Sequence, residues 1–147
     1  QRPDTMRNHP GQVAFPGGRI DPGEDVIAAA LREANEEVAL DPALVEMVGT
    51  ADPYLTGTNF RITPVLGVIP PDLPLHPNEA EVAAVFEAPL AWLLDAANHA
   101  TAAMEFRGQQ RQFIEMHWPE PGNPRRIWGA TAAIIVNLSR RLRWPEP

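Results

Sequence analysis

The sequence predicts an α/β fold class, and three observations lead to this prediction. With 147 residues, the chain is long enough to bury one core of its own. Two segments, residues 25–38 and 127–142, repeat apolar residues with the period of a helix. Short apolar segments bounded by proline, glycine and aspartate lie around them, and such segments are typical of strands joined by turns.

The first elements are a short strand and an amphipathic helix. Residues 12–15 read QVAF and end at a Pro-Gly-Gly loop, which predicts a strand followed by a turn. Residues 25–38 predict a helix because apolar side chains recur on one face of it: Ile27, Leu31, Ala34 and Val38. Asp25 is its expected N-cap, and Asp41 with Pro42 closes the segment.

The remaining segments continue the alternation of strands and helices. In chain order we predict strands at 44–52, 60–71 and 82–88, a short helix at 89–97, a hairpin over 102–118 and a final helix over 127–142. A proline-rich, acidic loop at 70–81 precedes the strand at 82–88. The final helix has an expected buried side formed by Ile127, Thr131, Ile134, Ile135 and Leu138.

The composition excludes several classes of function. The chain has no cysteine, which excludes thiol nucleophiles, thiolate metal sites and disulfides, and which fits a cytoplasmic location. All 12 basic residues are arginine, so a Schiff-base lysine and a P-loop lysine are excluded. The net charge of −7 argues against a nucleic-acid partner. No apolar run is long enough to cross a membrane, and no signal peptide is recognisable.

Three glutamates crowd one turn of the first helix. Like charges at this spacing repel by roughly 0.2–0.5 kcal/mol per pair. The cluster of Glu33, Glu36 and Glu37 is therefore unfavourable for the helix itself and indicates a function for these carboxylates. At about 100° per residue, Glu33 and Glu37 stack on a flank of the apolar face, just after the paired glycines Gly17 and Gly18. Carboxylates beside a free backbone carbonyl suit a hard divalent cation such as Mg²⁺ or Mn²⁺. A solvated acidic face is the alternative.

A longer pattern favours the metal site. Six positions are spaced as G-x5-E-x7-R-E-x-x-E-E: Gly18, Glu24, Arg32, Glu33, Glu36 and Glu37. This spacing resembles the signature of the Nudix hydrolases. The resemblance implies an α/β/α sandwich around a central mixed β-sheet, a single domain over residues 1–147, and metal-dependent hydrolysis of a diphosphate linked to a nucleoside.

Two residues depart from that family's usual pattern. Ala34 stands where a large aliphatic residue is usual, which implies a thinner contact under the helix. Ala39 stands where glycine is usual, and a positive φ at this helix end would cost roughly 1–2 kcal/mol relative to glycine. Neither departure touches the charged positions of the signature, so we expect them to affect packing more than activity.

The segment before the signature resembles the coenzyme A pyrophosphatase branch of the same family. The matching positions are Arg2, His9, Gly11, Val13, Phe15, Pro16, Gly17 and Gly18, whereas Pro3 replaces a serine. The stretches PPDLP, VFEAPL and WGATAAII are also similar to that branch. The resemblance therefore implies hydrolysis of coenzyme A or acyl-CoA. Other nucleoside diphosphate derivatives, or a non-catalytic binding module with this fold, are the alternatives.

The resemblance also implies roles for individual residues. Metal ligands would be Glu33, Glu37, Glu36 and the Gly18 carbonyl, with Mg²⁺ or Mn²⁺ as the cofactor. Catalytic residues would be Glu33, Glu36 and Arg32, with Glu79 or Glu81 as a further candidate base. Substrate-binding residues would be Arg7, His9, Phe15 and Gly17. The expected partner is a small nucleotide substrate similar to coenzyme A, and a homodimer is the expected assembly.

Overall fold

The structure is a computed structural model that describes residues 1–5, 11–106 and 108–143. Its helices are α1 (Val26–Val38), α2 (Leu90–Leu94) and α3 (Gly129–Arg141), and its strands are β1 (Glu46–Thr50), β2 (Tyr54–Leu55), β3 (Arg61–Ile62), β4 (Val65–Val68), β5 (Ala100–Phe106), β6 (Gln109–Trp118) and β7 (Arg125–Trp128). No helix in the described part of the chain is long and apolar enough to span a bilayer.

Helix α1 confirms the prediction for residues 25–38. The Asp25 carboxylate accepts hydrogen bonds from the backbone N–H groups of Ile27 (2.9 Å) and Ala28 (2.8 Å), as an N-cap does. At the other end Ala39 adopts a left-handed conformation with φ of 56°. Of the predicted apolar stripe, Val38 is buried and Ile27, Leu31 and Ala34 are half-buried. The other buried residue of α1, Ala29, lies on the opposite face.

The strands pair in three antiparallel sheets within the described residues. These sheets have the orders β1-β4, β2-β3 and β5-β6-β7. The combination of helices and sheets confirms the α/β class, although the resemblance led us to expect one mixed sheet. The hairpin predicted over 102–118 is β5 and β6, and the short helix at 89–97 is α2 with a following 3-10 turn at Ala96–Asn98.

Two predicted strands are extended segments outside the ladders. Residues 12–15 and 82–88 have no strand assignment. Each makes isolated backbone hydrogen bonds to the first residues of the chain: Arg2 donates to the Gln12 carbonyl (2.9 Å), and Ala83 donates to the Gln1 carbonyl (2.9 Å). The strand prediction was wrong here because apolar composition does not supply a neighbouring strand with which to form a ladder.

The start predicted for the last helix was also wrong. Residues 125–128 form β7, in which Ile127 pairs with Met116, and α3 begins at Gly129. Ile127 fits both a helical and a strand periodicity, so the pattern alone could not place the boundary. Gly129, with φ of 65°, lies where the strand gives way to the helix.

The core lies where α3 packs on the three-stranded sheet and α2. It comprises Leu94, Met116, Ile127, Ala132, Ile135 and Val136. The Thr131 hydroxyl on α3 donates to the Val13 carbonyl (3.0 Å), and Val13 packs against this core. Helix α3 thereby fixes the segment that leads into the paired glycines.

Candidate active site

Arg32 connects helix α1 to the loop before it. Its guanidinium donates to both oxygens of Glu24 (2.8 and 3.1 Å), and also to Glu33 (3.0 Å) and Glu36 (3.1 Å). A further bond reaches the backbone carbonyl of Arg19 (3.0 Å). These bonds hold the pKa of Glu24 below its ordinary value, since the charged form is the one that accepts them. Arg32 therefore neutralises and orients carboxylates on one side of α1.

Gly18 lies directly against the Glu33 carboxylate. A Cβ atom at position 18 would lie 2.8 Å from Oε2 of Glu33 and closer still to Oε1. A side chain at position 18 would fit only if the flexible end of Glu33 moved, so glycine permits this close approach. The side chain of Glu33 is 15% exposed and that of Glu36 is 56% exposed, which places Glu33 inside the site and Glu36 at its outer edge.

Glu37 follows Glu33 by one turn on the same flank of α1, and none of the Arg32 hydrogen bonds described above reaches it. Burial raises the pKa of Glu37, and the neighbouring charges of Glu33 and Glu81 raise it further. The Gly17 backbone N–H donates to this carboxylate, and this hydrogen bond lowers the pKa of Glu37. The nearby positive charge of Arg2 also lowers it. Three carboxylates thus share one region without an equal number of cations.

The loop before residue 82 is docked on the end of α1, and this docking brings Glu81 to the site. Asn78 donates from its backbone to the Glu37 carbonyl (2.8 Å), and His76 donates to the Val38 carbonyl (3.0 Å). The Glu81 N–H in turn donates to the Asn78 carbonyl (2.9 Å). Both Glu79 and Glu81 are exposed, but Glu81 lines the same cavity as Glu37 and Glu79 does not.

A cavity of about 270 Å³ lies beside Glu37. Its polar side is formed by Arg2, Gly17, Glu37 and Glu81, and Phe15 also lines it. Most of the other lining residues are apolar, and the largest group of them belongs to residues 82–88. Phe15 and Gly17 line this cavity, and their substrate-binding role stays a prediction. Arg7 and His9 lie outside the described residues.

The carboxylate oxygens at this site are ligands of the type that hard divalent cations prefer. Glu33, Glu37 and Glu81 are oxygen donors whose mutual repulsion a cation would relieve. In the conformation described, however, no group of three or more Asp, Glu or His side chains among residues 1–5, 11–106 and 108–143 is arranged to hold a metal ion. Glu33 and Glu36 instead accept hydrogen bonds from Arg32, so the ligand set stays a prediction.

Known proteins resemble this chain over most of its length. A model of the NUDIX domain matches residues 1–112. The chain belongs to the Nudix family. Proteins named "Uncharacterized Nudix hydrolase NudL" are 45% identical in Enterobacter sp. (strain 638) and Cronobacter sakazakii (strain ATCC BAA-894), and 46% identical in Escherichia fergusonii. Each match spans 143 residues, or 97% of this chain and 72% of the relative.

Membership settles the class of chemistry. This Nudix protein is a hydrolase that acts on pyrophosphate bonds, and members of the family act on small nucleotide derivatives and generally use divalent cations such as Mg²⁺ or Mn²⁺. Sequence reasoning gave Arg2 no place in the site, although the structure puts it in the cavity wall. The signal that could have revealed it was its position at the start of the segment that resembles the coenzyme A branch.

Proposed function

We propose that this Nudix hydrolase cleaves the diphosphate linkage of coenzyme A or acyl-CoA, giving 3′,5′-ADP and (acyl-)4′-phosphopantetheine. The observation that carries this proposal is the segment from Arg2 to Gly18, which the general Nudix signature does not require and the coenzyme A branch shares. The structure supports it by placing Phe15 and Gly17 of that segment on one cavity with Glu37 and Glu81.

In the proposed reaction, carboxylates of α1 and the loop act on a single phosphorus centre. Glu33, Glu37 and Glu36, with the Gly18 carbonyl, would hold Mg²⁺ or Mn²⁺, which supplies charge neutralisation and a lower pKa for water when bound. Glu81 would accept a proton as the water oxygen bonds to phosphorus. The anhydride P–O bond then breaks, and its electron pair leaves with the departing phosphate.

Arg32 and Glu24 would act indirectly in this scheme. The bidentate bond between them fixes the guanidinium, and the guanidinium holds Glu33 in place against Gly18. Arg32 is therefore a positioning residue in this proposal. The cytoplasm is the proposed compartment, and the proposed homodimer can be tested by light scattering on the purified protein.

A panel of diphosphates tests the substrate. Coenzyme A, dephospho-coenzyme A, ADP-ribose, a dinucleoside polyphosphate and a nucleoside triphosphate would each be incubated with and without Mg²⁺, and the products identified by mass spectrometry. We expect Mg²⁺-dependent release of 3′,5′-ADP from coenzyme A. Faster hydrolysis of ADP-ribose than of either coenzyme would overturn the substrate assignment, and hydrolysis of nothing would favour the binding-module alternative.

The Arg7→Ala variant tests recognition of the 3′-phosphate. This phosphate adds about two negative charges, which a protein of net charge −7 must meet with a local cation. Loss of one charge-assisted contact should raise KM for coenzyme A by about tenfold, with little change for dephospho-coenzyme A. Equal effects on the two substrates would show that Arg7 does not contact that phosphate.

A further inference from the structure

Arg2 is held at the mouth of the site by its backbone. Its N–H donates to the Gln12 carbonyl (2.9 Å), three residues before Phe15 in the segment that ends at Gly17 and Gly18. Its side chain lines the cavity together with Gly17, Glu37 and Glu81. A cationic side chain therefore lies in the wall of a cavity whose other charged side chains are the carboxylates of Glu37 and Glu81.

The guanidinium of Arg2 has unused hydrogen-bonding capacity. Its Nε is buried and has no hydrogen-bond partner among the described residues. Arg125 shows how this chain satisfies a buried arginine: it pairs with Glu120 (2.7 Å), donates to Gln1 and lies over the Phe86 ring at 4.7 Å. A buried donor without a partner is costly, which points to a group that arrives from outside.

The position of Arg2 relative to Glu37 indicates the chemistry of that group. The charge of Arg2 acts on Glu37, yet among the described residues no ion pair within 4 Å joins the two. Such an arrangement suits a ligand that brings both charges. Its anionic oxygens would bind the Arg2 guanidinium, and its cation would bind the carboxylates of Glu37 and Glu81. A diphosphate with its counter-cation has both.

We propose that Arg2 is a substrate-binding residue that donates to a phosphate oxygen of the diphosphate group being cleaved. The inference rests on the proposed function for the location of the reaction, but it concerns the diphosphate and not the 3′-phosphate. Arg2 should therefore act equally on coenzyme A and dephospho-coenzyme A, unlike the effect expected of Arg7.

The test compares Arg2→Gln with Arg141→Gln. Arg141 pairs with Asp52 (2.6 Å) on the exposed surface, so its variant controls for loss of one positive charge. We expect Arg2→Gln to raise KM about tenfold for both coenzymes, and Arg141→Gln to leave KM unchanged. A KM unchanged in Arg2→Gln, or raised for coenzyme A alone, would overturn the proposal.

Mg²⁺ affinity measured without substrate distinguishes direct contact of Arg2 with the substrate from an effect of Arg2 on metal binding by Glu37. Removal of a cation near Glu37 should leave Mg²⁺ binding unchanged or make it tighter, as measured by titration calorimetry or the thermal shift that Mg²⁺ produces. Weaker Mg²⁺ binding, matched to the change in KM, would show that Arg2 supports the carboxylates and does not contact substrate. Arg2→Lys, which keeps the charge but loses the planar fork, should show a smaller rise in KM and provides a second variant if Arg2→Gln folds poorly.

ADP provides a readout that does not depend on the identity of the substrate. We expect ADP to bind the wild type in the presence of Mg²⁺ and to bind Arg2→Gln about tenfold more weakly. Equal affinities, or no binding of ADP to either protein, would overturn the role of Arg2. Weaker ADP binding in a protein that does not hydrolyse coenzyme A would leave that role standing and reject only the proposed substrate.

Discussion

The glutamates of helix α1 and of the loops beside it form two groups with opposite electrostatic outcomes. In one group, Glu24 and Glu36 share the guanidinium of Arg32, and the pKa of Glu24 falls below its ordinary value. In the other group, Glu37 is half-buried near Glu33 and Glu81, and its pKa rises above its ordinary value. Glu33 belongs to both groups, because Arg32 binds it and its charge acts on Glu37.

The difference separates carboxylates that maintain the structure from carboxylates that are available to a ligand. A carboxylate whose charge is already balanced gains little from a cation, whereas one that burial and like charges destabilise gains much. The Arg32 network keeps the loop and helix together, and the Glu37 group keeps an unbalanced negative charge. We expect substitutions in the two groups to differ in kind.

The largest expected effect is on turnover in Glu37→Gln. The change removes a carboxylate charge with little change in volume, so the fold should persist while kcat falls by roughly 100-fold or more. Steady-state kinetics with Mg²⁺, together with circular dichroism, would measure both. Unchanged Mg²⁺-dependent turnover would remove Glu37 from the site.

The same variant should be more stable than the wild type in the absence of metal at neutral pH. Because folding raises the pKa of Glu37, its charged form destabilises the fold at pH values above that raised pKa, and protonation removes the penalty as the pH falls. The thermal midpoint of Glu37→Gln should thus exceed that of the wild type at pH 7.5 and approach it near pH 4. Added Mg²⁺ should reverse the order by stabilising the wild type alone. A wild type that is the more stable at pH 7.5 without Mg²⁺ would contradict the assignment of unbalanced charge to the Glu37 group.

Glu81 and Glu79 form a matched pair for locating the base. They are two residues apart in one docked loop, but Glu81 lines the cavity and Glu79 does not. Glu81→Gln should lower kcat by about 100-fold, as expected for loss of a general base, and Glu79→Gln should have little effect. Equal kcat values for the two variants would place the base elsewhere.

Gly18→Ala tests how closely Glu33 must approach the loop. The new methyl group would overlap the Glu33 carboxylate, so the carboxylate must shift and kcat should fall by about tenfold or more. Gly57→Ala is the control, since a Cβ there meets nothing within 4 Å. If kcat is the same in both variants, the contact between Gly18 and Glu33 does not contribute to activity.

The smallest expected effect is a gain in stability from Ala39→Gly. Ala39 has φ of 56°, and glycine removes the steric cost of that conformation but adds backbone freedom to the unfolded chain. The net gain should be about 0.5–1 kcal/mol in the free energy of unfolding by urea, with kcat unchanged. A loss of stability would mean that the side chain of Ala39 contributes more to packing than its conformation costs.

The sequence predicted the elements whose patterns were local. The periodicity and N-cap of α1 and the hairpin of β5 and β6 were confirmed within one or two residues. The strands at 12–15 and 82–88 were wrong because a ladder needs a partner, which composition does not encode. For the candidate site, spacing placed Glu33, Glu37 and Arg32 around one helix, since position on a helix follows from residue number.

By itself, the sequence determined which residue types are available and how α1 presents them. Only the tertiary structure decided which carboxylates are neutralised. The sequence treats Glu79 and Glu81 alike, but hydrogen bonds from residues 76 and 78 to the end of α1 bring only Glu81 to the cavity. Likewise the sequence around Arg2 marks it for the site but does not show that its Nε is buried without a partner among the described residues. Both results depend on residues that are distant in sequence, because the charge that one side chain experiences is set by every neighbour that folding brings to it.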